Sequence, residues 1–275
     1  MKLSIVTPSF NQARFLESAM LSVLDQPGVD LEYVVMDGGS TDGSREIIER
    51  HAARLAYSEC AKDAGQYDAI TRGFAHTSGD VMAWLNSDDM LVPRALATVT
   101  EIFGQFPEVQ WLTTTAQIRW DAAGRIARVL HVPGYTRDGF LAGEHLPDGG
   151  AFSLGWIQQE STFWRRSLWE RAGAQIGRDF PLAGDFELWA RFFQHAELHA
   201  VEVPLGGFRF HGDQKTGGDR GDYMTEATRA FTAHGGRRNG AFAQWLRCHR
   251  LKTRAAKVVR HNRHSGKWEM KTVRV

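Results

Sequence analysis

The stretch LSIVTPSFNQARFLESAMLSVLDQPGVDLEYVVMD, residues 3–37, contains one complete strand–helix–strand unit. LSIVTP and LEYVVMD are apolar runs of strand length, and the segment between them has the apolar spacing of a helix. Two strands joined in this way pair in parallel through a right-handed crossover. The apolar helix positions are Phe15, Leu16, Ala19, Met20, Val23 and Leu24. These residues predict the start of an α/β fold.

The alternation continues through residues 45–85, where REIIERHAARL predicts a helix, AYSEC a strand, QYDAITRGFAHT a helix and DVMAWL a strand. Such a rhythm is typical of a mostly parallel sheet flanked by helices. Ligands of these sheets bind outside the carboxyl ends of the strands. Polar residues stand at those ends in this chain: Thr7 with Pro8, Asp37, and residues 86–89. We therefore expect the functional site there.

The pattern changes after residue 107. VQWLTTTAQIRW and RIARVLHV, separated by DAAG, predict a hairpin, and we expect loops over residues 133–155. RRSLWERAG and DFELWARFFQHA predict helices, the second with Asp185 as N-cap, and LHAVEV predicts a strand. We divide the chain into a first half (1–106), a second half of the same domain (107–236) and a tail (237–275).

Composition is that of an ordinary soluble protein, with 43% hydrophobic and 24% charged residues in 275. No apolar run reaches the roughly 18 residues of a membrane span, and the N-terminus lacks the pattern of a secretory signal. A cytoplasmic protein is the expectation. Cys60 and Cys248, the only cysteines, indicate neither a disulfide framework nor a cysteine-based zinc site.

The tail concentrates positive charge. Residues 237–275 hold twelve Lys/Arg and one acid, Glu269, a net charge of +11 that leaves −10 on the rest. Apolar residues among the cations predict a basic amphipathic helix in peripheral contact with an anionic membrane surface. The alternatives are a solvated terminus or a cap on the acidic body. No nucleic-acid motif accompanies the charge, which disfavours nucleic acid as a partner. The apolar residues are Phe242, Trp245, Leu246, Val258 and Val259.

The sequence NSDD, residues 86–89, follows the predicted strand DVMAWL and finishes with two adjacent carboxylates. Neighbouring carboxylates repel one another unless a cation or hydrogen-bond donors compensate. Mg²⁺ or Mn²⁺ fits, because each takes one or two carboxylates together with phosphate oxygens and water. The alternative is that Asp88 or Asp89 only caps a helix beginning near Pro93.

Asp37 ends another strand and precedes glycines and small hydroxyls in VVMDGGSTDGS. The segment is not a phosphate-binding P-loop, because it has no Lys and neither glycine signature. Asp37 suits hydrogen bonding to a base or ribose, and its alternative is an ordinary turn acid.

Four segments together carry a family resemblance, and they cover about the first 215 residues in order. These are SIVTPSFNQARFLESAMLSVLDQ, VVMDGGSTDGS, KDAGQYDAITRGFAHTSGDVMAWLNSDD and AGDFELWARF. The chain resembles the family 2 glycosyltransferases, which have a GT-A fold. The resemblance implies inverting transfer from a nucleoside diphosphate sugar, with a UDP-sugar favoured, to a hydroxyl of a polysaccharide or lipid-linked glycan.

The resemblance also implies that residues 1–106 form the nucleotide-sugar-binding half and residues 107–236 the acceptor-binding and catalytic-base half of the same domain. It further implies donor-side roles. Thr7, Pro8, Asp37 and Asp63 would hold the base and ribose, and Asp88 would coordinate Mn²⁺ or Mg²⁺. Asn86 stands where the family's D-x-D motif has its first Asp, so it would contact a sugar or ribose hydroxyl without adding charge. Asp89 would either contact the metal-binding residues without binding the metal itself or cap a helix.

Acceptor-side roles follow in the same way. Asp185 would be the base that deprotonates the acceptor, with Glu187 the weaker candidate, and His211 would reach the metal or diphosphate. Other contacts to donor, acceptor or diphosphate are assigned to Trp156, Gln159, Glu160, Arg209 and Lys215, with a closing loop at Gly217 and Gly218. For the aromatics Trp156, Phe163, Trp164 and Trp169 the alternative is core packing.

Two rival functions remain open at this point. A sugar nucleotidyltransferase shares the nucleotide-binding sheet but needs a Gly-rich, cationic loop after the first strand, which TPSFNQARF lacks. A catalytically degenerate nucleotide- or glycan-binding module gains support from Asn86, whereas Asp88 and Asp185 oppose it. The expected setting is glycan assembly at the cytoplasmic face of the cell membrane.

Overall fold

The computed structural model describes residues 1–147, 153–212, 220–240, 245–246 and 253–275. The first half alternates strand and helix as predicted. Its elements are β1 (Lys2–Ser9), α1 (Ala13–Leu24), β2 (Asp30–Asp37), α2 (Ser44–His51), β3 (Tyr57–Cys60), α3 (Gln66–Ala75), β4 (Val81–Trp84), β5 (Met90–Leu91) and α4 (Ala95–Gln105). The predicted boundary at residue 106 falls in the connection after α4.

The second half is less regular. Its strands are β6 (Trp111–Thr114), β7 (Ala116–Trp120), β8 (Ile126–His131), β9 (Phe163–Arg165), β10 (His199–Val201), β11 (Gly206–Arg209), β12 (Ala255–Asn262) and β13 (Lys267–Arg274). Its α-helices are α5 (Arg137–Leu141), α6 (Arg166–Arg171), α7 (Gly184–His195) and α8 (Arg220–Ala233). Among the described residues, no helix is both long enough and apolar enough to cross a bilayer.

The central sheet has nine strands in the order β13-β12-β10-β6-β9-β4-β1-β2-β3. Strands β4, β1, β2 and β3 run parallel, and so do β6, β10 and β12. β9 lies antiparallel to both β4 and β6, so these two groups point the same way. Seven strands therefore present their carboxyl ends at one edge of the sheet, where ligands of such folds bind.

A second sheet has four strands in the order β5-β11-β7-β8. β7 and β8 form the predicted antiparallel hairpin. The prediction that VQWLTTTAQIRW forms a single strand is wrong, because β6 joins the large sheet and β7 the small one. The Thr114 hydroxyl accepts the backbone N–H of Ala116 at 2.8 Å where the chain changes sheet.

The prediction of loops over residues 133–155 is wrong in one place, because α5 forms there. The Thr136 side chain caps this short helix by accepting the N–H of Gly139 at 3.0 Å. Residues 148–152 of the predicted loop lie outside the described residues.

The prediction of a basic amphipathic helix in the tail is wrong for residues 255–275, which form the antiparallel hairpin β12–β13. β12 pairs in parallel with β10 and so extends the large sheet. Val258 and Val259 are buried in that sheet and do not face a lipid surface. Residues 241–244 and 247–252 of the predicted helix lie outside the described residues.

The centre of the core is aromatic. Trp84 and Trp189 stack with ring centroids 5.8 Å apart, and Trp164 meets both rings edge-on. Phe163, Trp164 and Trp169 are buried, which confirms core packing for these three. Rigid aromatic packing directly beneath the strand ends gives the functional edge a fixed support.

Gly206 in β11 is the glycine whose substitution should cost most. A Cβ there would lie 2.3 Å from the backbone oxygen of Glu160. We expect Gly206→Ala to lower the free energy of unfolding in urea by about 3 kcal/mol, because the backbone at Glu160 would have to move to make room for the added carbon. Gly221→Ala is the matched control in α8, where nothing lies within 4 Å of the added carbon. Equal stability of the two variants would contradict the close approach.

Candidate active site

The polar residues predicted at the strand ends do converge. β1, β2 and β4 are neighbours in the sheet, and the NSDD segment follows β4 directly. The 3-10 turn Gln159–Ser161, just before β9, and the end of β11 reach the same place. Residues far apart in sequence therefore surround one site at the carboxyl edge of the sheet.

Asn86 is held by its neighbours through both atoms of its amide. Its oxygen accepts from Gln66 Nε2 at 2.8 Å, and its nitrogen lies 3.3 Å from both Asp89 Oδ2 and Gln159 Oε1. Gln159 in turn donates to the backbone oxygen of Trp84 at 2.7 Å. This amide network fixes the NSDD segment on β4 and on the turn before β9.

Asp88 and His211 lie together although 123 positions separate them. His211 Nε2 is 3.0 Å from Asp88 Oδ2, and the imidazole packs against the ring of Phe15 at a centroid distance of 4.3 Å. The His211 side chain is 1% exposed and that of Asp88 19%. The pair presents one carboxylate and one imidazole to the site.

Asp89 is fully buried, at 0% exposure. Its Oδ1 accepts the backbone N–H of Arg209 at 2.8 Å and so ties β11 to the NSDD segment. Burial, with the nearby charges of Asp88 and Glu160, raises the pKa of Asp89 well above its usual range. Neither Asp88 nor Asp89 caps α4, which begins after Arg94 with no side-chain cap.

The Arg209 side chain is also buried. Its guanidinium donates to the Ser18 hydroxyl at 2.9 Å and lies over the ring of Phe15 at 5.0 Å. Arg209 thus links β11 to α1, and the charges of Asp89 and Asp88 act on it. Its predicted contact with the diphosphate stays a prediction. Lys215, together with Gly217 and Gly218, lies outside the described residues.

Glu160 is a buried carboxyl group with an unsatisfied atom. Within the described residues its Oε1 has no hydrogen-bond partner, although the group is only 5% exposed. Burial raises the pKa of Glu160 to about 7, and the charges of Asp185 and Asp88 act in the same direction. A buried acceptor of this kind is suited to contact with a ligand.

Asp185 lies partly exposed in the first turn of α7. The prediction that it is the N-cap is wrong, because the N-cap residue is Ala183. The Tyr223 hydroxyl donates to the Asp185 carboxylate, at 3.2 and 3.3 Å from its two oxygens. Burial raises the pKa of Asp185 to about 6. A carboxylate with this pKa can accept a proton near neutral pH.

Glu187, the weaker candidate for a base, is committed elsewhere. It forms an ion pair with Arg191 at 2.8 Å and lies 3.3 Å from His234 Nε2. These partners hold the pKa of Glu187 below its usual range despite burial. Its role is structural.

Asp37 organises the loop after β2. Its Oδ1 accepts the N–H groups of Gly39 and Ser40 at 3.1 and 2.8 Å, and its Oδ2 accepts the Ser40 hydroxyl at 2.6 Å. Asp63 approaches the same loop, since a Cβ on Gly38 would lie 2.9 Å from its carboxylate. The structure thus brings the two predicted nucleotide-binding carboxylates to one loop.

Thr7 and Pro8 are buried within β1. The Thr7 hydroxyl lies 2.8 Å from the Tyr33 hydroxyl inside the protein, so its side chain belongs to the interior. Trp156 differs, since its ring is partly exposed with the Arg119 guanidinium 4.8 Å from its centroid. Arg119 also lies 5.0 Å from the ring of Phe210, which is exposed beside His211.

Sequence reasoning missed two residues at this edge. Tyr223 gave no local signal, because it reaches Asp185 from a helix 38 positions later. Phe10, directly after β1, is 55% exposed, which is unusual for so large an apolar ring. The sequence signal that could have found Phe10 is its position, since it is an aromatic residue directly after the first strand.

Comparison with known proteins agrees with this arrangement. Residues 4–152, more than half of the chain, match the sequence family described as Glycosyl transferase family 2. An uncharacterized glycosyltransferase of Nostoc sp. is 38% identical over 106 residues, which are 38% of this chain and 33% of the Nostoc protein. The matched segment thus spans about a third of that relative.

Solved structures share the fold at low sequence identity. S. aureus TarS 1–349 in complex with UDP-GlcNAc matches with a TM-score of 0.64 and 14% identity, over 92% of this chain and 71% of that one. The glucosyl-3-phosphoglycerate synthase of Mycobacterium tuberculosis, in complex with Mn²⁺, UDP and phosphoglyceric acid, matches with a TM-score of 0.56 and 18% identity. That match covers 100% of this chain and 87% of the synthase.

The mostly parallel sheet, the strand-end polar site and these likenesses confirm the predicted GT-A fold. The fold likeness alone would not define an activity, because one fold supports many functions. The family match does more, since it spans the NSDD segment and the Asp37 loop. On this ground the chain belongs to glycosyl transferase family 2.

Proposed function

We propose that the protein is an inverting, metal-dependent glycosyltransferase that moves a sugar from a nucleoside diphosphate sugar to a hydroxyl acceptor. The observation that carries the proposal is a pair of contacts from two neighbouring residues at the start of α3. Gln66 donates to Asn86 of the NSDD segment at 2.8 Å, and the Tyr67 hydroxyl accepts the backbone N–H of Asp185 at 3.4 Å. The base candidate and the segment that carries the metal-ligand candidate therefore lie close to one another. An acceptor hydroxyl and a donor diphosphate can then occupy one site.

In the proposed reaction Asp185 accepts the proton of the acceptor hydroxyl. The acceptor oxygen forms a bond to C1 of the donor sugar from the face opposite the nucleotide, and the bond from C1 to the diphosphate oxygen breaks. Tyr223 holds the Asp185 carboxylate in position and stabilises its charged form. Oε1 of Glu160, which has no hydrogen-bond partner among the described residues, would accept a hydrogen bond from a hydroxyl of either sugar.

The residues present suit a hard divalent cation. Within the described parts of the chain no three His, Cys, Asp or Glu side chains form a metal cage. Asp88 and His211 offer two ligands, which is enough for Mg²⁺ or Mn²⁺ when phosphate oxygens and water complete the shell. The cation would supply charge stabilisation for the departing diphosphate.

The nucleotide would lie over the loop after β2. Asp37 and Asp63 face it there, Asn86 borders the sugar, and Phe10 offers an exposed ring for stacking on the base. Thr7 and Pro8 would contribute through the backbone at the end of β1. A UDP-sugar is the favoured donor, supported by UDP-GlcNAc in the TarS complex and UDP in the synthase complex.

The acceptor would be a glycan or lipid-linked glycan, and Trp156, partly exposed, is the aromatic placed to stack on a sugar. The setting we propose is the cytoplasmic face of the cell membrane, with contact to anionic lipid through residues 237–275. Trp245, 39% exposed in that segment, supports such a contact.

Calorimetric titration with UDP, GDP and dTDP, each in Mn²⁺ and in EDTA, tests the proposal directly. We expect one nucleotide to bind tightly only with Mn²⁺, and the corresponding sugar nucleotide to be turned over with a suitable acceptor. A folded protein that binds none of the three would refute the transferase function. Binding without turnover over a broad acceptor panel would instead favour a degenerate binding module.

Tyr223 should influence the pH at which activity is lost on the acidic side. Asp185 acts as a base only when deprotonated, so kcat/KM should fall as pH drops through about 6. The Tyr223 hydroxyl favours the charged carboxylate, so Tyr223→Phe should raise the pKa of Asp185 and move the acidic limb to higher pH by about one unit. Tyr57→Phe, at the far strand β3, should leave the limb in place, and a similar shift in both variants would contradict the assignment.

A further inference from the structure

A groove outside the proposed active site lies between three parts of the chain: the turn into α4, the connection after β10 and the hairpin β12–β13. Its volume is about 600 Å³, within the size range of small-molecule sites. We name it the Arg94 groove. Its principal lining residues are Arg94, Ala95, Pro204, Arg260, Arg263 and Trp268.

Positive charge dominates the lining. Arg94, Arg260 and Arg263 line the groove, whereas Glu202 is the single acidic residue that does so. Glu202 pairs with Arg260 at 2.6 Å. Among the described residues, Arg94 and Arg263 form no ion pair, so two guanidinium groups are left to face an anion. Guanidinium groups are suited to phosphate, which they can bind through two parallel hydrogen bonds.

The backbone at Arg94 is unusual. Its φ is +66°, in the left-handed region that non-glycine residues seldom occupy. Strained residues of this kind concentrate at functional sites, where the surrounding structure holds them in place. Here the conformation places an arginine side chain, and not a glycine, at the mouth of the groove.

α4 begins at this point, and Ala95 and Thr98 of its first turn line the groove. The first turn of this helix has no acidic residue, and its N-cap residue Arg94 makes no side-chain cap, although Gln26 Oε1 accepts the N–H of Leu96 at 3.3 Å. The positive end of the helix dipole therefore adds to the charge of the arginines.

One wall of the groove is apolar and rigid. Trp268 is fixed by its indole N–H, which donates to Glu101 at 2.8 Å, and its ring meets His261 edge-on at 5.0 Å. Pro93 and Pro204 complete this wall. A ligand that joins a phosphate group to a less polar portion would fit such a lining better than a free ion.

The groove and the active site share one edge of the molecule. Val92, in the groove wall, follows Asp89 by three residues, or about 10 Å of extended chain. β5 pairs with β11 between them, through Gly206 with Leu91, and Val92 donates its N–H to Leu205 at 3.0 Å. One two-stranded ladder thus connects the groove to Asp89 and to the segment that carries His211.

From these observations we propose that the Arg94 groove is a second anion site, which binds a phosphate-bearing ligand separately from the donor diphosphate. Arg94 and Arg263 contact the phosphate, the start of α4 adds its dipole, and Trp268 with the prolines contacts the less polar portion. The phosphate belongs either to a soluble phosphate ester or to a lipid headgroup, and the chemistry of recognition is the same for both.

The test uses the full chain in EDTA without donor, so that metal-dependent nucleotide binding does not contribute. Inorganic phosphate is titrated by calorimetry, and flotation is measured with phosphatidylcholine vesicles that contain or lack phosphatidylglycerol. Arg94→Gly removes the guanidinium and leaves a residue suited to φ +66°. Arg263→Ser removes the second cation, and Arg128→Ser, on exposed β8, is the control of equal charge.

We expect Arg94→Gly and Arg263→Ser each to weaken binding about fivefold or more, and Arg128→Ser to change it less than about twofold. If these two variants lose binding of inorganic phosphate, a soluble phosphate ester is a sufficient ligand. If they lose binding only to vesicles with phosphatidylglycerol, the ligand is a lipid headgroup. Absence of binding in both arms, or equal loss in all three variants, overturns the proposal. Manganese-dependent UDP binding by the same variants tests the proposed transferase separately.

Discussion

Asp185→Asn should lower the rate of sugar transfer by about 100- to 10,000-fold, the usual contribution of a positioned general base. The substitution keeps the shape of the side chain and its contact with Tyr223, but the amide cannot accept the acceptor proton. Affinity for the donor nucleotide should stay within about twofold of wild type, because Asp185 acts on the acceptor side. Steady-state kinetics with the identified donor and acceptor, together with nucleotide calorimetry, measures both quantities.

Asp222→Asn is the matched control, since it removes an exposed carboxylate one residue from Tyr223 in α8. Its transfer rate should remain close to wild type. Two results would contradict the role of Asp185: a loss smaller than about tenfold, below the usual effect of removing a general base, or a loss of the same size in the control. The first would direct attention to Glu160, the other carboxyl at the site with a pKa near neutrality.

Asp88→Asn should weaken the manganese-dependent binding of the donor nucleotide by more than about 100-fold. Loss of a residue that only orients a metal ligand already lowers metal affinity by about 10- to 100-fold, and loss of a ligand itself should cost more. Asp88 and His211, whose side chains lie 3.0 Å apart, are the two groups that we propose as ligands of the cation. An amide in place of the carboxylate removes the negative charge while the neighbouring chain stays intact. Calorimetry with and without Mn²⁺ measures the change.

The wild-type protein in EDTA is the internal control for Asp88→Asn. If the carboxylate acts through the cation, the variant in Mn²⁺ should bind nucleotide no better than the wild type does in EDTA. A variant that retains an increase in affinity on addition of Mn²⁺ would show that Asp88 is not the principal ligand. His211→Gln would then show whether His211 binds the Mn²⁺ ion: loss of the Mn²⁺ effect would identify it as the principal ligand, and its retention would indicate other ligands.

The sequence was sufficient for the donor side of the fold because its signals are local. Apolar runs and helical spacing predict β1 to β4 with α1 to α3, and polar residues follow the strand ends directly. Parallel pairing then brings Asp37 and Asp88 to one edge without any further information. The crossover rule supplies the handedness of each connection. The order β4-β1-β2-β3, with β1 between β4 and β2, comes from the structure.

Elsewhere the decisive contacts are long-range, and local patterns gave the wrong result. Residues 255–262 read as part of an amphipathic helix, but β10, more than fifty residues earlier, recruits them as a strand. Asp185 read as an N-cap, but the helix begins at Gly184, and Tyr223 completes its surroundings from α8. Asn86 read as a ligand-binding amide, and the structure adds three side-chain partners for it.

The hairpin β12–β13 also gives the charge of the tail a physical meaning. β13 is an outermost strand of the nine-stranded sheet, so no strand from the described part of the chain pairs with one side of its backbone. An open strand of this kind is a template on which a second molecule can add, and lysines and arginines along it oppose that addition. Lys267, Lys271 and Arg274 lie on β13. We therefore expect part of the +11 charge to keep neighbouring copies of the protein from joining their sheets, an effect that needs neither a membrane nor nucleic acid.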